Sequence, residues 1–458
     1  MTRAEILVVL KSALPFFEVK GPEAVSSLDP GLDADNLNAG VIAYLKTAEE
    51  VSQLLAFCHA HNIAVVPQGG RTGLAGGAVS HQGQLILSTQ RMNKIIAIDA
   101  ASRLAVVEAG VTLATLQAAA AEQGLSPGID LGARDSATIG GMISTNAGGI
   151  EAFRHGVMRQ RVLGLEAVLA DGTVMSDLAQ VTKCNEGYDT KQLFIGAEGT
   201  LGVVTRAIIK LVPLPKAKAT ALVAISNLET AVALFNTLSQ GEALLAFELM
   251  NPRYFKLAAS AAKETQLVPL AEAGYVFVIE MQGESPVVAH QILEEALSVA
   301  LEGGQVADAV IAKSAKEARR FWILREDSWV VDRNYPHGLW FDVTVPLNEL
   351  GRYLQSVDDA LQASHRDALA FVIGHLGDGN LHLTIASHQD LSAAKEAISA
   401  IVYQSLKPIG GSFSAEHGIG LEKREALLRY GDPGKRAMML ALKAALDPKG
   451  IMNPGKVL

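Results

Sequence analysis

Glycine constrains this chain more than any other residue type, because it is clustered. Among its 42 glycines, many fall in three blocks: PQGGRTGLAGGAV (Pro67 to Val79), IGGMISTNAGG (Ile139 to Gly149) and GAEGTLGVV (Gly196 to Val204). Glycine in such runs lets the backbone approach a ligand closely and adopt positive φ, at an entropic cost that a bound group must offset. A single block reads equally well as an ordinary turn, but three in the first half of one chain point to a ligand cradle. The first block follows a buried strand at Ala64 to Val66, yet no G-x-G-x-x-G opens a helix there, which disfavours a Rossmann site.

Around these blocks, short helices and strands alternate. TAEE from Thr47 reads as a capping box ahead of a helix ending near Asn62, with Val51, Leu54, Leu55 and Cys58 at helical spacing. Strands are expected at Leu85–Leu87, Ile95–Ile98, Leu104–Glu108, Val162–Ala170 and Gly202–Val212, and an alanine-rich helix at Thr112–Gln123. The texture changes at LVPLPKAKAT, which sets a domain boundary near Pro213 to Lys218. Beyond it, strands at Tyr275–Met281 and Leu339–Val345 alternate with helices at Pro286–Leu301, Lys313–Arg325 and Leu347–Leu361, an α+β pattern.

Composition narrows the function classes. With 458 residues, 49% hydrophobic and 19% charged, the chain can bury large cores and divides into two or three domains. A net charge of -9 disfavours nucleic acid or an anionic membrane as partner. No apolar run is long enough for a transmembrane span, and the N-terminus reads as a first helix and not a signal peptide. Cys58 and Cys184 are too few for a disulfide framework, which fits a cytoplasmic protein.

The sharpest chemistry is in GHLGDGNLHL, Gly374 to Leu383. Asp378-Gly379 suits a two-residue hairpin turn, and counting outward sets His375 opposite His382. Directly opposed Cβ atoms lie about 5 Å apart, close enough for two imidazoles to share a divalent ion. A third ligand would be acidic or imidazole; Glu416 in SAEHGIG is the candidate, with His417 beside it as a base.

These motifs, in this order and followed by DPKGIMNP (Asp447 to Pro454), resemble the FAD-linked D-2-hydroxyacid dehydrogenases, with the vanillyl-alcohol-oxidase (PCMH) type of flavin fold. The family includes D-lactate dehydrogenase, D-2-hydroxyglutarate dehydrogenase and the glycolate oxidase flavoprotein subunit. The resemblance implies an α+β protein: an FAD domain of two subdomains (1–215), a cap domain with an antiparallel sheet (216–410), and a C-terminal segment (411–458) returning to the FAD domain. It assigns Pro67, Gly69, Gly70, Arg71, Thr72, Gly73, Gly76 and Gly77 to the FAD pyrophosphate. Gly140, Gly141, Thr145, Asn146, Gly148 and Gly149 would line the cofactor channel, while Glu198, Gly199, Thr200, Gly202 and Val203 flank adenine and flavin. His375, His382 and Glu416 would hold zinc or manganese, and Asn453 would lie close to the flavin and substrate. The pyrophosphate loop has no histidine, so the FAD is expected to be held non-covalently.

The implied reaction takes a D-2-hydroxy acid to the 2-oxo acid. The metal lowers the hydroxyl pKa, His417 accepts the proton and flavin N5 the hydride. Arg325 in ILRED matches the family position for the substrate carboxylate; the plainer alternative is a surface arginine paired with Glu326 or Asp327. The chain departs from the 2-hydroxyglutarate enzymes at two places that hold the distal carboxylate, where it has Trp329 and Trp340. Indoles can build an apolar wall or simply pack in the core, but cannot replace a cation. The expectation is therefore a preference for uncharged or aromatic side chains, from D-lactate to D-mandelate. The alternatives are a D-2-hydroxyglutarate dehydrogenase, a redox-silent flavoprotein subunit, or a non-redox transferase on the same scaffold. The electron acceptor would be a protein or a quinone, and a homodimer is compatible with the chain.

Overall fold

The computed structural model describes residues 1–458. It divides into two compact units: one of residues 1–149, 155–214 and 416–458, the other of residues 150–154 and 215–415.

The first unit holds two main sheets, beside a two-stranded ribbon of Leu125–Ser126 and Val212–Pro213. The smaller has strand order Glu18–Lys20, Ile42–Tyr44, Gln84–Ser88, Ala64–Gln68, parallel except at its first strand. The larger is a five-stranded antiparallel sheet ordered Ile95–Asp99, Leu104–Glu108, Val203–Lys210, Val162–Val168, Val174–Asp177. The expected helix after Thr47 spans Ala48–His61, and it buries Val51, Leu54, Leu55 and Cys58. Its N-cap is as expected on one side, with the Glu50 amide donating to Thr47 Oγ1 at 3.1 Å. The Glu50 carboxylate reaches one residue further back, to the Lys46 amide at 2.6 Å. Asn62 ends the helix at φ 53°.

The end of the chain belongs to this unit. Met452 forms a parallel bridge with Val65, the Val65 amide donates to Ile451 O at 2.8 Å, and the Asn453 amide donates to Val65 O at 2.7 Å. The turn before this bridge is built on buried Asp447, whose two oxygens accept from the amides of Ile451 (3.0 Å) and Met452 (2.8 Å). Asp447 also takes Lys443 Nζ at 2.6 Å, while the same ammonium donates to Thr200 O and Met452 O, each at 2.8 Å. Removing one partner of such a pair strands the other charge. Asp447→Ala is expected to lower unfolding free energy by about 3 kcal/mol, measured as a fall in the denaturation midpoint; an unchanged midpoint would show the staple to be idle.

The second unit is a seven-stranded antiparallel sheet. Its order is Asp308–Ile311, Ala217–Ile225, Tyr275–Gly283, Leu244–Met250, Leu369–His375, Asn380–Ala386, Leu339–Thr344. On one face lie the helices Pro252–Ala261, Ala315–Glu326 and Val330–Asn334, through Tyr254, Phe255, Phe321, Leu324 and Val331. The strands Ala217–Ile225 and Leu244–Met250 and their following helices went unread in the sequence. Every residue of Leu244–Met250 is buried, so the alternation that marks a one-sided strand is missing.

Candidate active site

In the first unit the glycine blocks pack against one another. A Cβ on Gly69 would sit 2.1 Å from Thr138 Oγ1, and one on Gly70 1.8 Å from Ser136 O, so both glycines let two segments touch. The second block is not an open nest. Ile139–Thr145 is a seven-residue helix capped by Thr138, and Gly140 is bare because its Cβ would meet that of Ala109 at 2.6 Å. Thr145 bonds back to Gly141 O and Asn146, at φ 55°, accepts from the Arg159 amide at 2.9 Å. A cleft of about 550 Å³ opens beside these segments, lined among others by Gly70, Arg71, Gln90, Thr112, Ser136 and Thr138. Arg71 holds φ 55°, and its Nε and Nη1 are buried without a hydrogen-bond acceptor. A cationic side chain so placed suits an anion such as a diphosphate.

The third block meets the first and the chain terminus. Asn453 donates to Gly77 O (3.0 Å) and Glu198 O (2.8 Å), and its buried Oδ1 has no donor. The Glu198 carboxylate accepts from the Ile419 and Gly420 amides at 2.7 and 2.8 Å. Burial raises its pKa, and those two amides and the Lys423 charge pull the other way. Glu198 thus staples the loop that carries His417. Gly199, at φ 71°, lies against Pro67, Thr200 donates to Ala197 O, and Gly202 leads into buried Val203. Glu416 rests on Gly148, where a Cβ would come within 2.7 Å of Glu416 Oε1. Gly149, at φ 121°, would place a Cβ 2.1 Å from Asp130 O. Thr72 and Gly73 lie in the same loop, and Gly76, at φ 73°, faces Leu421.

In the second unit the hairpin forms with a different register. Leu376–Asp378 make a turn of 3-10 helix and Gly379 takes φ 74°, so the connection has four residues and not two. His375 pairs with Asn380, and His382 with Ile373. The cause is Gly379, whose carbonyl accepts from the Val345 amide at 2.9 Å and whose missing Cβ would lie 2.0 Å from Val345 O. A slip of two residues keeps every side chain on its face. The two imidazoles are therefore diagonal neighbours, with centroids 5.5 Å apart at 87° and a ring nitrogen of each within 4.8 Å of the other's.

Each histidine is backed by a buried carboxylate that the sequence reading missed. His375 Nδ1 is 2.8 Å from Glu248 Oε1, and His382 Nδ1 is 3.5 Å from Asp342 Oδ1. Glu248 is 1% exposed and Asp342 0%. Asp342 also accepts from Asn380 Nδ2 (2.9 Å) and the Ala415 amide (3.1 Å); the next residue along the chain is Glu416. The available signal was a lone acid in each of two apolar strands, LLAFELM and LWFDVT. A buried acid needs a partner.

Arg325 is no surface residue. It is 7% exposed, and Glu326 and Asp327 pair instead with Arg319 and Arg333. Its Nη2 lies 2.8 Å from Glu248 Oε2 without hydrogen-bond alignment, and its Nε and Nη2 have no hydrogen-bond acceptor. Trp329 and Trp340 pack on each other at 5.1 Å. Trp329 is 50% exposed, and Trp340 Nε1 donates to Asp332 Oδ1 at 2.9 Å. Burial raises the Asp332 pKa. Trp340 shares a sheet face with Asp342, two residues on.

Family models agree with this anatomy. One described as "FAD linked oxidases, C-terminal domain" matches residues 214–457, and one described as "FAD binding domain" matches residues 39–177. The chain belongs to the FAD-linked oxidases. It is accordingly a flavoprotein oxidoreductase, as the motif resemblance implied. Among its relatives, a mitochondrial D-2-hydroxyglutarate dehydrogenase of Danio rerio is 37% identical over 99% of this chain and 85% of its own length. A D-2-hydroxyglutarate dehydrogenase of Xanthomonas citri pv. viticola is 34% identical over 92% and 89%. Similar solved structures are an alkyldihydroxyacetonephosphate synthase (TM-score 0.69, 19% identity, 91% of this chain and 77% of that one) and p-cresol methylhydroxylase (TM-score 0.69, 18% identity, 91% and 88%). At such identities they speak for the fold alone. No helix is long and apolar enough to cross a membrane.

Proposed function

We propose that the protein is an FAD- and metal-dependent dehydrogenase that oxidises D-2-hydroxy acids with uncharged side chains. The observation that carries the reading is the row Glu248, His375, His382 and Asp342 beside buried Arg325. The donors suit a divalent ion, because a carboxylate behind each Nδ1 leaves Nε2 as the nitrogen for ligation. Glu416 would be the third ligand. The orphaned nitrogens of Arg71 and the acceptor Asn453 Oδ1 suit the diphosphate and a ring N–H of FAD. FAD supplies a hydride acceptor and the ion, zinc or manganese, a Lewis acid. Arg325 would hold the substrate carboxylate through its guanidinium, fixing the α-carbon, and His417 would take the hydroxyl proton.

The side-chain preference rests on the paired indoles. A distal carboxylate against Trp329 and Trp340 loses water without gaining a cation, which costs several kcal/mol. Arg333 is already paired with Asp327. An apolar group there gains roughly 25 cal/mol per Å² buried. D-Lactate, D-2-hydroxyisovalerate or D-mandelate is expected to have kcat/KM at least about tenfold above D-2-hydroxyglutarate, a difference of about 1.4 kcal/mol. Steady-state kinetics on the four acids tests this. A clear preference for D-2-hydroxyglutarate would favour the second reading, supported by the names of the relatives, in which another cation holds the distal group. Flavin left oxidised under anaerobic conditions by both enantiomers of every acid would overturn the enzyme class.

A further inference from the structure

The metal reading proposed above, on which this inference rests, uses one oxygen of Glu248, behind His375, and leaves the other unassigned. We infer that Glu248 is a positioning residue whose single carboxylate orients two functional groups at once, the imidazole of His375 and the guanidinium of Arg325. It is the one acid in LLAFELM, a strand buried along its whole length, and isolating it there is unfavourable unless both oxygens are used. Both face a partner: Oε1 lies 2.8 Å from His375 Nδ1, while Oε2 lies 2.8 Å from Arg325 Nη2 as an ion pair without hydrogen-bond alignment. The backbone imposes the first contact, since Glu248 and His375 are direct partners across the antiparallel strands. The helix Ala315–Glu326 brings the second, with Arg325 in its last turn.

Only a carboxylate can serve both groups. His375 must donate from Nδ1 to keep Nε2 bare for a metal, and Arg325 can only donate. A glutamine at 248 has one acceptor and one donor end. Its oxygen would turn to the cation, where the charge-assisted contact is stronger. The amide NH₂ would then face Nδ1, and the imidazole would answer by accepting there and carrying its proton on Nε2. That tautomer cannot ligate. The shape of the side chain hardly changes, so the effect is chemical and not a cavity.

The test is Glu248→Gln in the FAD-loaded protein, with zinc and manganese affinity measured by chelator competition. Affinity is expected to fall by about 10- to 100-fold, the usual weight of such an outer partner, at unchanged flavin content. The visible bands of cobalt(II)-loaded protein are expected to shift, and excess metal to restore kcat, which a general structural lesion would not allow. Should the glutamine variant not fold, Glu248→Asp keeps the charge but withdraws it by one methylene, and the same loss is expected. A folded variant with parental affinity and parental cobalt bands would overturn the inference. A parent protein that takes up no metal would overturn the metal reading itself, and this inference with it; the first failure appears in the parent, the second only in the variants.

Discussion

Replacing His417 by alanine is expected to slow reduction of the bound flavin by roughly 10²- to 10⁴-fold, the range for one acid–base group. Hydride cannot leave the α-carbon unless the hydroxyl proton departs with it or before it. His417 follows Glu416 in a loop held by others: Gly418 at φ 79° lies against the Glu198 carboxylate, which accepts from the amides of Ile419 and Gly420. Truncating the imidazole leaves this staple untouched, so metal content and flavin content are expected to match the parent. Anaerobic stopped-flow reduction by the best substrate provides the measurement. A variant that reduces at the parental rate would give the proton to another acceptor, such as a water on the metal.

The second large effect is expected on removing the proposed metal. Treatment with a strong chelator should abolish turnover while the flavin stays bound. His375 and His382 stand on the sheet of the second unit, whereas Arg71 and all of the matched FAD binding domain except residues 150–154 lie in the first. Losing the Lewis acid forfeits several kcal/mol of charge stabilisation in the transition state, or roughly 10³-fold or more in rate. Adding zinc or manganese back should recover activity. His375→Ala is expected to act like the chelator, and metal should not rescue it. Full activity in protein demonstrated to be metal-free would remove the ion from the mechanism and leave the two imidazoles to bind substrate directly.

Much of this site could be read from the chain because its signals are local. Leu104–Glu108 reads as a strand and forms one between the same residues. Asp378-Gly379 marks the hairpin, but the observed register differs from the expected one by two residues because Val345, distant in sequence, holds the turn open. The face of the histidines survived the error, since a strand's side chains repeat every two residues. The glycine blocks are bare for more than one reason. Gly69, Gly70 and Gly140 are bare because other parts of the chain press on them, whereas Arg71 lines the open cleft.

Motif residues are neighbours along the chain and their spacing is set by turns and helix caps, so the family and the candidate site residues were legible without the fold. What stands behind those candidates is visible only once the strands and helices are packed. Arg325 reads as either a surface or a site residue until the fold buries it beside Glu248. Glu248 is 127 residues from His375, Asp342 is 73 from Ala415, and Glu198 is 255 from Asn453. The partner of a buried charge is chosen by strand order and by which helix covers which face. Those are properties of the whole packed unit, and no window of sequence contains them.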